Sequence, residues 1–193
     1  MEQFKCDKMK IIEKINDKSF SWIDKNDFTK SDAFRSEIHI SKGDNAVYDM
    51  KMLFYNLFST LKNNFIIDNN SWWDFCLDVW NPSEDRYSYD LKEKSIETQS
   101  YLKMLYNCDI DVGYEGLCKC NDWDFFLTII LNCIITHISP YSPLFCDVKN
   151  EFFFYFHHTS SIGLYYKHHT PKIEDIFTKS NMFSYDVISN TLD

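Results

Sequence analysis

Glycine is scarce in this chain, and the placement of its few glycines excludes several common kinds of catalytic site. The four glycines are Gly43, Gly113, Gly116 and Gly163. A dinucleotide-binding fingerprint needs three closely spaced glycines, and a phosphate-binding P-loop needs two glycines followed by lysine. The nucleophile elbow G-x-S-x-G and the zinc-protease motif H-E-x-x-H are also missing. The sequence therefore lacks the motifs of common nucleotide-binding enzymes, serine hydrolases and zinc proteases.

Arginine is nearly absent as well. Of the 20 basic residues only Arg35 and Arg86 are arginine, and 29 acidic residues give the chain a formal net charge of −9. Recognition of phosphate or guanine relies on the planar arginine fork, and affinity for nucleic acid needs positive charge. We therefore expect no nucleic-acid partner.

The sequence has no long apolar run and no C-x-x-C pair among its seven cysteines. Its longest apolar stretch, Trp123–Ile138, is shorter than the roughly 20 residues of a membrane span. Residues Met1–Phe20 lack the continuous apolar core of a signal peptide. We expect free thiols in a reducing compartment, a cytoplasmic location, no membrane association and no cofactor.

Apolar spacing predicts several helices. Residues Val47 to Leu61 repeat apolar side chains every three or four positions, which is typical of an amphipathic helix. Further helices are predicted over Phe4–Phe20, Asp90–Asn107, Trp123–Ile138 and from Thr170-Pro171 onward. Trp123–Ile138 is apolar on nearly every side, which indicates a central buried helix capped by Asn121 or Asp122.

Alternating patterns predict strands over Ser36–Ser41 and Trp72–Trp80. Two Phe- and Tyr-rich segments, Glu151–Thr159 and Leu164–His169, indicate a C-terminal hairpin with its turn centred on Ser161-Ile162. Cys108–Asp122 is expected to be a loop. Together these patterns predict an α+β fold: one globular domain over residues 1–193, with an antiparallel sheet, several packed helices and one contiguous core.

The negative charge is concentrated in the middle of the chain. Residues 65–148 hold 14 acidic and five basic residues, a net charge of −9 that equals the total. Many of these acids adjoin large aromatic residues, which are frequent anchors in protein interfaces. The candidate partner-binding residues are Trp72, Asp74, Asp78, Trp80, Asp109, Asp111, Tyr114, Glu115 and Asp122. Their partner would be a basic protein; a solubilising acidic surface is the alternative interpretation.

Some of these residues also suggest chemistry. Asp74 and Asp78 lie on one face of the predicted strand, but about 13 Å apart, which is too far for a glycosidase pair. Asp109-Ile110-Asp111 has the form of a D-x-D metal-binding pair, and it also suits an acidic surface loop.

Three cysteines and a histidine raise the alternative of a zinc site. Cys118, Cys120, Cys133 and His137 partly match the spacing of a zinc finger, although one residue between the first two cysteines is fewer than usual. Buried thiols are the other interpretation, and we assign no metal site. The hairpin histidines His157, His158, His168 and His169 are expected to be solvated strand-end residues.

In size, acidity, and lack of signal peptide and catalytic motifs, the whole chain resembles the immunity proteins of bacterial polymorphic-toxin and contact-dependent inhibition systems. Trp72–Trp80 and Cys108–Asp124 supply an acidic, aromatic face. The resemblance implies a non-enzymatic inhibitor that neutralises a basic toxin, such as a nuclease domain. Two alternatives stay open: a metal- or carboxylate-dependent hydrolase or transferase with a site assembled from scattered residues, and a scaffold subunit.

Overall fold

The structure is a computed structural model that describes residues 10–15, 22–24, 30–31, 33–40 and 44–190. Within these ranges the strands are β1 (Ile12–Ile15), β2 (Phe34–His39), β3 (Ile66–Asp68), β4 (Trp80–Asn81), β5 (Arg86–Tyr87), β6 (Leu117–Cys120), β7 (Leu144–Asp147), β8 (Phe152–His157), β9 (Ser161–Tyr166) and β10 (Asp186–Asn190). The helices are α1 (Ala46–Phe58), α2 (Ile96–Asn107), α3 (Trp123–Ile135) and α4 (Pro171–Met182). The predicted α+β class is confirmed.

Eight of these strands form one sheet in the order β1-β6-β3-β7-β8-β9-β2-β10. Every neighbouring pair in it is antiparallel. The expected antiparallel sheet and its Phe- and Tyr-rich hairpin, β8–β9, are therefore confirmed. Strands β4 and β5 pair separately in a short hairpin.

The turn of the β8–β9 hairpin lies earlier in the chain than predicted. His157 pairs with Ser161, so residues 158–160 make the connection, and Ser160 adopts a positive φ of 62°. Gly163 instead lies within β9, opposite Tyr155. A Cβ atom at Gly163 would lie 2.5 Å from the Tyr155 ring, so a larger residue at this strand position would displace that ring.

The four helices contribute to the larger core, which covers one face of the sheet. Helix α3 is central: it contacts α1, α2 and β8, and seven of its 13 residues are buried. Asp122 starts it by accepting a hydrogen bond from the Phe125 backbone, as predicted. Aromatic rings fill the space between the helices and the sheet. Phe58 of α1 stacks on Phe154 of β8 with centroids 4.3 Å apart.

The opposite face of the sheet carries a second apolar cluster, whereas one contiguous core was expected. Its buried members are Ile66, Leu117, Leu144, Cys146, Phe153 and Tyr165. Trp22 packs on this cluster, with its ring centroid 5.6 Å from that of Phe153. The sheet divides the core because residues on β3, β6, β7, β8 and β9 alternate between its two faces.

Two helix predictions need correction. Residues Ile12–Ile15, predicted as part of a helix over Phe4–Phe20, form strand β1 and pair with β6; the other residues of that range, except Lys10 and Ile11, lie outside the described ones. Helix α2 begins at Ile96 rather than near Asp90, because Ser95 accepts from the Thr98 backbone and caps it. The other boundaries agree closely, including the Thr170 cap of α4.

Two further predictions are wrong: in one segment the backbone turns where the sequence alternates, and in the other a strand forms where a loop was expected. The Trp72–Trp80 segment is a series of turns with a 3-10 helix at Leu77–Val79, and only its last residue enters a strand. Trp72 and Trp73 are adjacent, yet both are buried. Cys108–Asp122, expected to be a loop throughout, contains strand β6.

Candidate functional site

Three of the candidate partner-binding residues hold the fold together. Trp72 is fully buried, and its Nε1 donates to the Gly116 carbonyl at 2.8 Å. Asp78 is half-buried and receives hydrogen bonds from the Ser95 backbone and the Thr98 hydroxyl at the start of α2. Asp122 caps α3. Their polar groups are already engaged within the chain.

Two other candidate acids are exposed but paired. Asp109 and Asp111 accept from the ammonium groups of Lys10 and Lys14, at 2.5 and 2.6 Å. The Lys14 hydrogen bond lowers the pKa of Asp111 below its usual value. These pairs partly neutralise the loop after α2, so it attracts a basic partner less strongly than its sequence suggests.

Tyr114 and Glu115 follow in the same loop. Tyr114 is half-buried, and its hydroxyl donates to the Leu117 carbonyl at 2.9 Å. The Lys14 ammonium lies 5.6 Å from the Tyr114 ring centroid. Glu115 is exposed. Tyr114 is neutral, so Glu115 supplies the accessible charge of this part of the loop.

Five aromatic rings in consecutive contact run from the surface at Trp80 through the edge of the core. Consecutive centroids in the row are 5.0, 6.4, 5.1 and 4.8 Å apart. In order, its members are Trp80, Tyr87, Tyr89, Trp73 and Tyr106. Trp73 is buried and Tyr89 half-buried, whereas Trp80, Tyr87 and Tyr106 are 40, 49 and 50% exposed. The row is therefore anchored in the core and accessible at three rings.

Acidic side chains accompany this row. Asp74 accepts hydrogen bonds from the Tyr89 hydroxyl at 2.7 Å and from Ser71 at 2.8 Å. Burial and this contact with Asp74 raise the pKa of Tyr89, so its hydroxyl stays protonated and continues to donate. The turn of the β4–β5 hairpin adds Glu84 and Asp85, both exposed. Glu84 is paired with Arg86, whose Nε donates to its Oε2 at 2.6 Å, so Asp85 offers the more accessible charge.

Residues 71–93 hold six acids and two bases in total. We call the five rings together with Asp74, Glu84, Asp85 and Asp90 the Trp80 surface. Asp90, also exposed, directly follows Tyr89 and caps a short 3-10 turn. The surface thus combines exposed aromatic rings with net negative charge.

Sequence reasoning found only Trp80 and Asp74 of the Trp80 surface. Tyr87 and Tyr89 could have been found from a turn signal. Asn81-Pro82-Ser83 indicates a turn after Trp80, and a turn there would bring the following aromatic residues, Tyr87 and Tyr89, back beside Trp80. Tyr106 could not, because it reaches the row only through the packing of α2 against the Trp73 turn.

A pocket of about 430 Å³ opens beyond the ends of β3 and β8. It is lined by Asp68, Asn69, Asn70, Ile134, Ser139, Pro140, Tyr141, Ser142, Leu144, Tyr155, Phe156, His157 and His158. Its volume lies in the range of small-molecule sites, which combine apolar walls with a few polar groups. None of the nine candidate partner-binding residues lines it, although His157 and His158 of the hairpin do.

The possible metal ligands are not assembled into a site. Within the described ranges, no group of three or more His, Cys, Asp or Glu side chains is arranged to hold a metal ion. The Cys133 thiol instead lies 3.9 Å from the Cys76 thiol in the core, and Cys118 is buried. The six cysteines that the structure describes are free, as expected, and Cys6 lies outside the described residues.

Of the four hairpin histidines, three are exposed to solvent and one is partly buried. His157 is half-buried and His158, His168 and His169 are exposed. The His157 and His158 rings lie 4.2 Å apart, and burial and this neighbour lower the pKa of His157.

Comparison of the chain with known protein families, characterised proteins and solved structures finds no match. Among the helices in the described part of the chain, none is long and apolar enough to cross a bilayer.

Proposed function

We propose that this protein is a non-enzymatic cytoplasmic binding protein that neutralises a basic partner, in the manner of an immunity protein that inhibits a toxin domain. The observation that carries the proposal is the Trp80 surface. Its rings are anchored in the core through Trp73, so they need little ordering when a partner binds. Aromatic residues of this kind dominate binding energy in protein interfaces.

The acids of this surface determine the kind of partner. Glu84, Asp85 and Asp90 are exposed around the rings, and although Arg86 pairs with Glu84, acids outnumber bases six to two over residues 71–93. A local excess of one sign raises the encounter rate with an oppositely charged protein. Lysine and arginine side chains that contact nucleic acid in a toxic nuclease would pair with these carboxylates. The inhibitor would then occupy the surface that the toxin needs for its substrate.

Site-specific photo-cross-linking tests this proposal. A benzophenone amino acid replaces either Trp80 or Phe183 of the full chain in its native cells; these side chains are 40 and 41% exposed, and Phe183 follows α4 outside the Trp80 surface. We expect position 80 to form an adduct with one basic protein whose toxicity the wild-type chain suppresses. Equal labelling from position 183, or an acidic adduct, would contradict the proposal.

A further inference from the structure

Strand β10 leaves one edge of the large sheet open. It pairs with β2 on one side, and on its other side no strand follows among the residues that the structure describes. An open edge presents unpaired N–H and C=O groups to which another strand can add, and proteins usually protect it with charged residues or proline. Strand β1, at the opposite edge, has Glu13 and Lys14 at its centre, whereas the one charged residue of β10 is Asp186 at its start.

The open edge also exposes an apolar side chain. Ile188, at the centre of β10, is 55% exposed. It lies opposite Glu37, whereas its neighbour Val187 lies opposite Ile38, which belongs to the core on the helix side of the sheet. Ile188 therefore stands on the face away from the helices, because successive side chains of a strand alternate between the two faces. A strand added to β10 would cover this side chain.

An apolar cleft of about 290 Å³ lies beside the same edge, on the helix side. Phe34 of β2, Tyr166 of β9 and Phe177 of α4 supply its aromatic lining, and Val187 and Ser189 of β10 also line it. A side chain presented by a strand that pairs with β10 would therefore have apolar surface to contact on this face as well.

The sequence of β10 is complementary to itself. In an antiparallel pair centred on Ile188, the two Ile188 residues lie opposite each other, Val187 lies opposite Ser189, and Asp186 lies opposite Asn190. Side chains directly opposite each other in such a pair have Cβ atoms about 5 Å apart. The two isoleucines would thus cover each other, no two acids would be opposed, and Val187 of each copy would lie next to Ser189 at the cleft of the other.

The local charge permits two copies to approach at this edge. Residues 149–193, which include β8, β9, α4 and β10, hold four basic and five acidic residues. The net charge of −9 is carried by residues 65–148 instead. Repulsion between two copies is therefore weak where the β10 edges meet, since solvent and salt screen the more distant charges.

We propose that two copies of this chain associate through β10, in an antiparallel pair whose two-fold axis passes between the two Ile188 residues. The same surface patch then serves both copies, as in other two-fold symmetric dimers. The interface joins the two sheets into one and closes the open edge of each. It shares no residue with the Trp80 surface, so this inference and the proposed function stand or fall separately.

Sedimentation of the full wild-type chain over about 1 to 100 μM protein provides the first test, because dimerisation depends on concentration by mass action. We expect the mass to rise from that of one chain towards that of two chains and to stop there. A single chain at every concentration, or an assembly of more than two chains, would overturn the proposal.

A charge swap at Ile188 tests the register. In Ile188→Lys and in Ile188→Glu, like charges would lie opposite each other, so each variant alone should dimerise about tenfold more weakly than wild type. An equimolar mixture of the two should dimerise more tightly than either alone, because lysine then lies opposite glutamate. Strong dimerisation of each single variant, or no recovery in the mixture, would overturn the proposal.

Val112→Lys and Val112→Glu are the matched controls. Val112 is 58% exposed, and it follows Asp111, which pairs with Lys14 of β1 at the opposite edge of the sheet. Both control variants should dimerise as wild type does, and a loss equal to that of the Ile188 variants would overturn the proposal. If the Ile188 variants do not fold, the sedimentation of the wild-type chain decides it alone.

Discussion

The indole of Trp80 and the phenol of Tyr87 contact each other edge to face across the β4–β5 hairpin, with centroids 5.0 Å apart. The rings are 40 and 49% exposed, and a contact of this kind contributes about 0.5–1.5 kcal/mol beyond the burial of area. The hairpin holds them in one arrangement, because Trp80 pairs with Tyr87 in the strand ladder and the Val79 carbonyl accepts from the Ser88 backbone at 2.8 Å. This pair forms one exposed end of the Trp80 surface.

Trp80→Ala is expected to remove partner binding while leaving the fold almost intact. Replacing an exposed ring costs about 1 kcal/mol or less of unfolding free energy, including the lost ring contact with Tyr87. The same variant should fail to protect cells from the partner. Urea unfolding and a protection assay measure the two effects, with Phe183→Ala as the control of matched exposure. Full protection by Trp80→Ala would remove this ring from the interface.

Trp72→Phe is expected to have the opposite effect. The phenylalanine ring leaves the Gly116 carbonyl without its indole donor and leaves a small cavity, so unfolding free energy should fall by about 2–4 kcal/mol. Partner binding by the folded fraction should be unchanged because Trp72 is fully buried. Urea unfolding and calorimetry separate the two. A variant that keeps its stability and loses affinity would restore Trp72 as a binding residue.

Phe154→Ala is expected to lower the unfolding free energy by about 3–5 kcal/mol. Phe154 stacks on Phe58 at 4.3 Å and on Phe145 at 4.9 Å, so its removal opens a cavity between the sheet and α1. The exposed ring of Phe125 in α3 provides the control, and Phe125→Ala should cost about 1 kcal/mol or less. Equal losses in the two variants would show that this contact is not part of the stabilising core.

Stability should fall above pH 9. Burial raises the pKa of the Cys118 thiol from 9.0 to about 12. Between these values the unfolded chain has lost the proton and the folded chain keeps it, so unfolding becomes easier by about 1.4 kcal/mol per pH unit. Below pH 9 the contribution of Cys118 to stability is fully present. Burial likewise raises the pKa of Tyr141 from 10.0 to about 12, which adds to the loss above pH 10.

Urea unfolding at pH 7, 9 and 10 in a reducing buffer measures this effect. Cys118→Ala should lower stability at pH 7 because it leaves a cavity, yet lose less than wild type between pH 9 and 10. An equally steep loss in wild type and variant would mean that the Cys118 thiol does not titrate as described.

Helices with strong local signals were predictable from the sequence. In α3 the apolar run, the Asp122 cap and the prolines that follow all indicate the same structure, and it forms where expected. The Thr170 cap and Pro171 define the start of α4 in the same way. Local sequence and tertiary packing agree in these segments.

The failures have tertiary causes. Ile11, Ile12 and Ile15 fit a helical spacing, but pairing with β6 makes this segment a strand. Strands β3 and β7 were not predicted because they are three and four residues long and fully buried, so they show no alternation. The pocket also escaped prediction, since residues far apart in the sequence, such as Asn69, Tyr141 and His157, come together to line it.

The measurement that tests the central claim most directly is the association rate constant of the cross-linked partner as a function of salt. Between about 10 and 150 mM salt the Debye length falls from about 30 to 8 Å. For the wild-type chain we predict a rate that falls by about tenfold or more over this range. Glu84→Gln combined with Asp85→Asn should slow association at low salt, because it removes two charges from the Trp80 surface.

The control for net charge is Glu174→Gln combined with Asp186→Asn, two exposed acids on α4 and β10. We predict that this control associates at nearly the wild-type rate at every salt concentration. A wild-type rate that does not change with salt, or equal slowing in the two double variants, would contradict binding of a basic partner through the Trp80 surface.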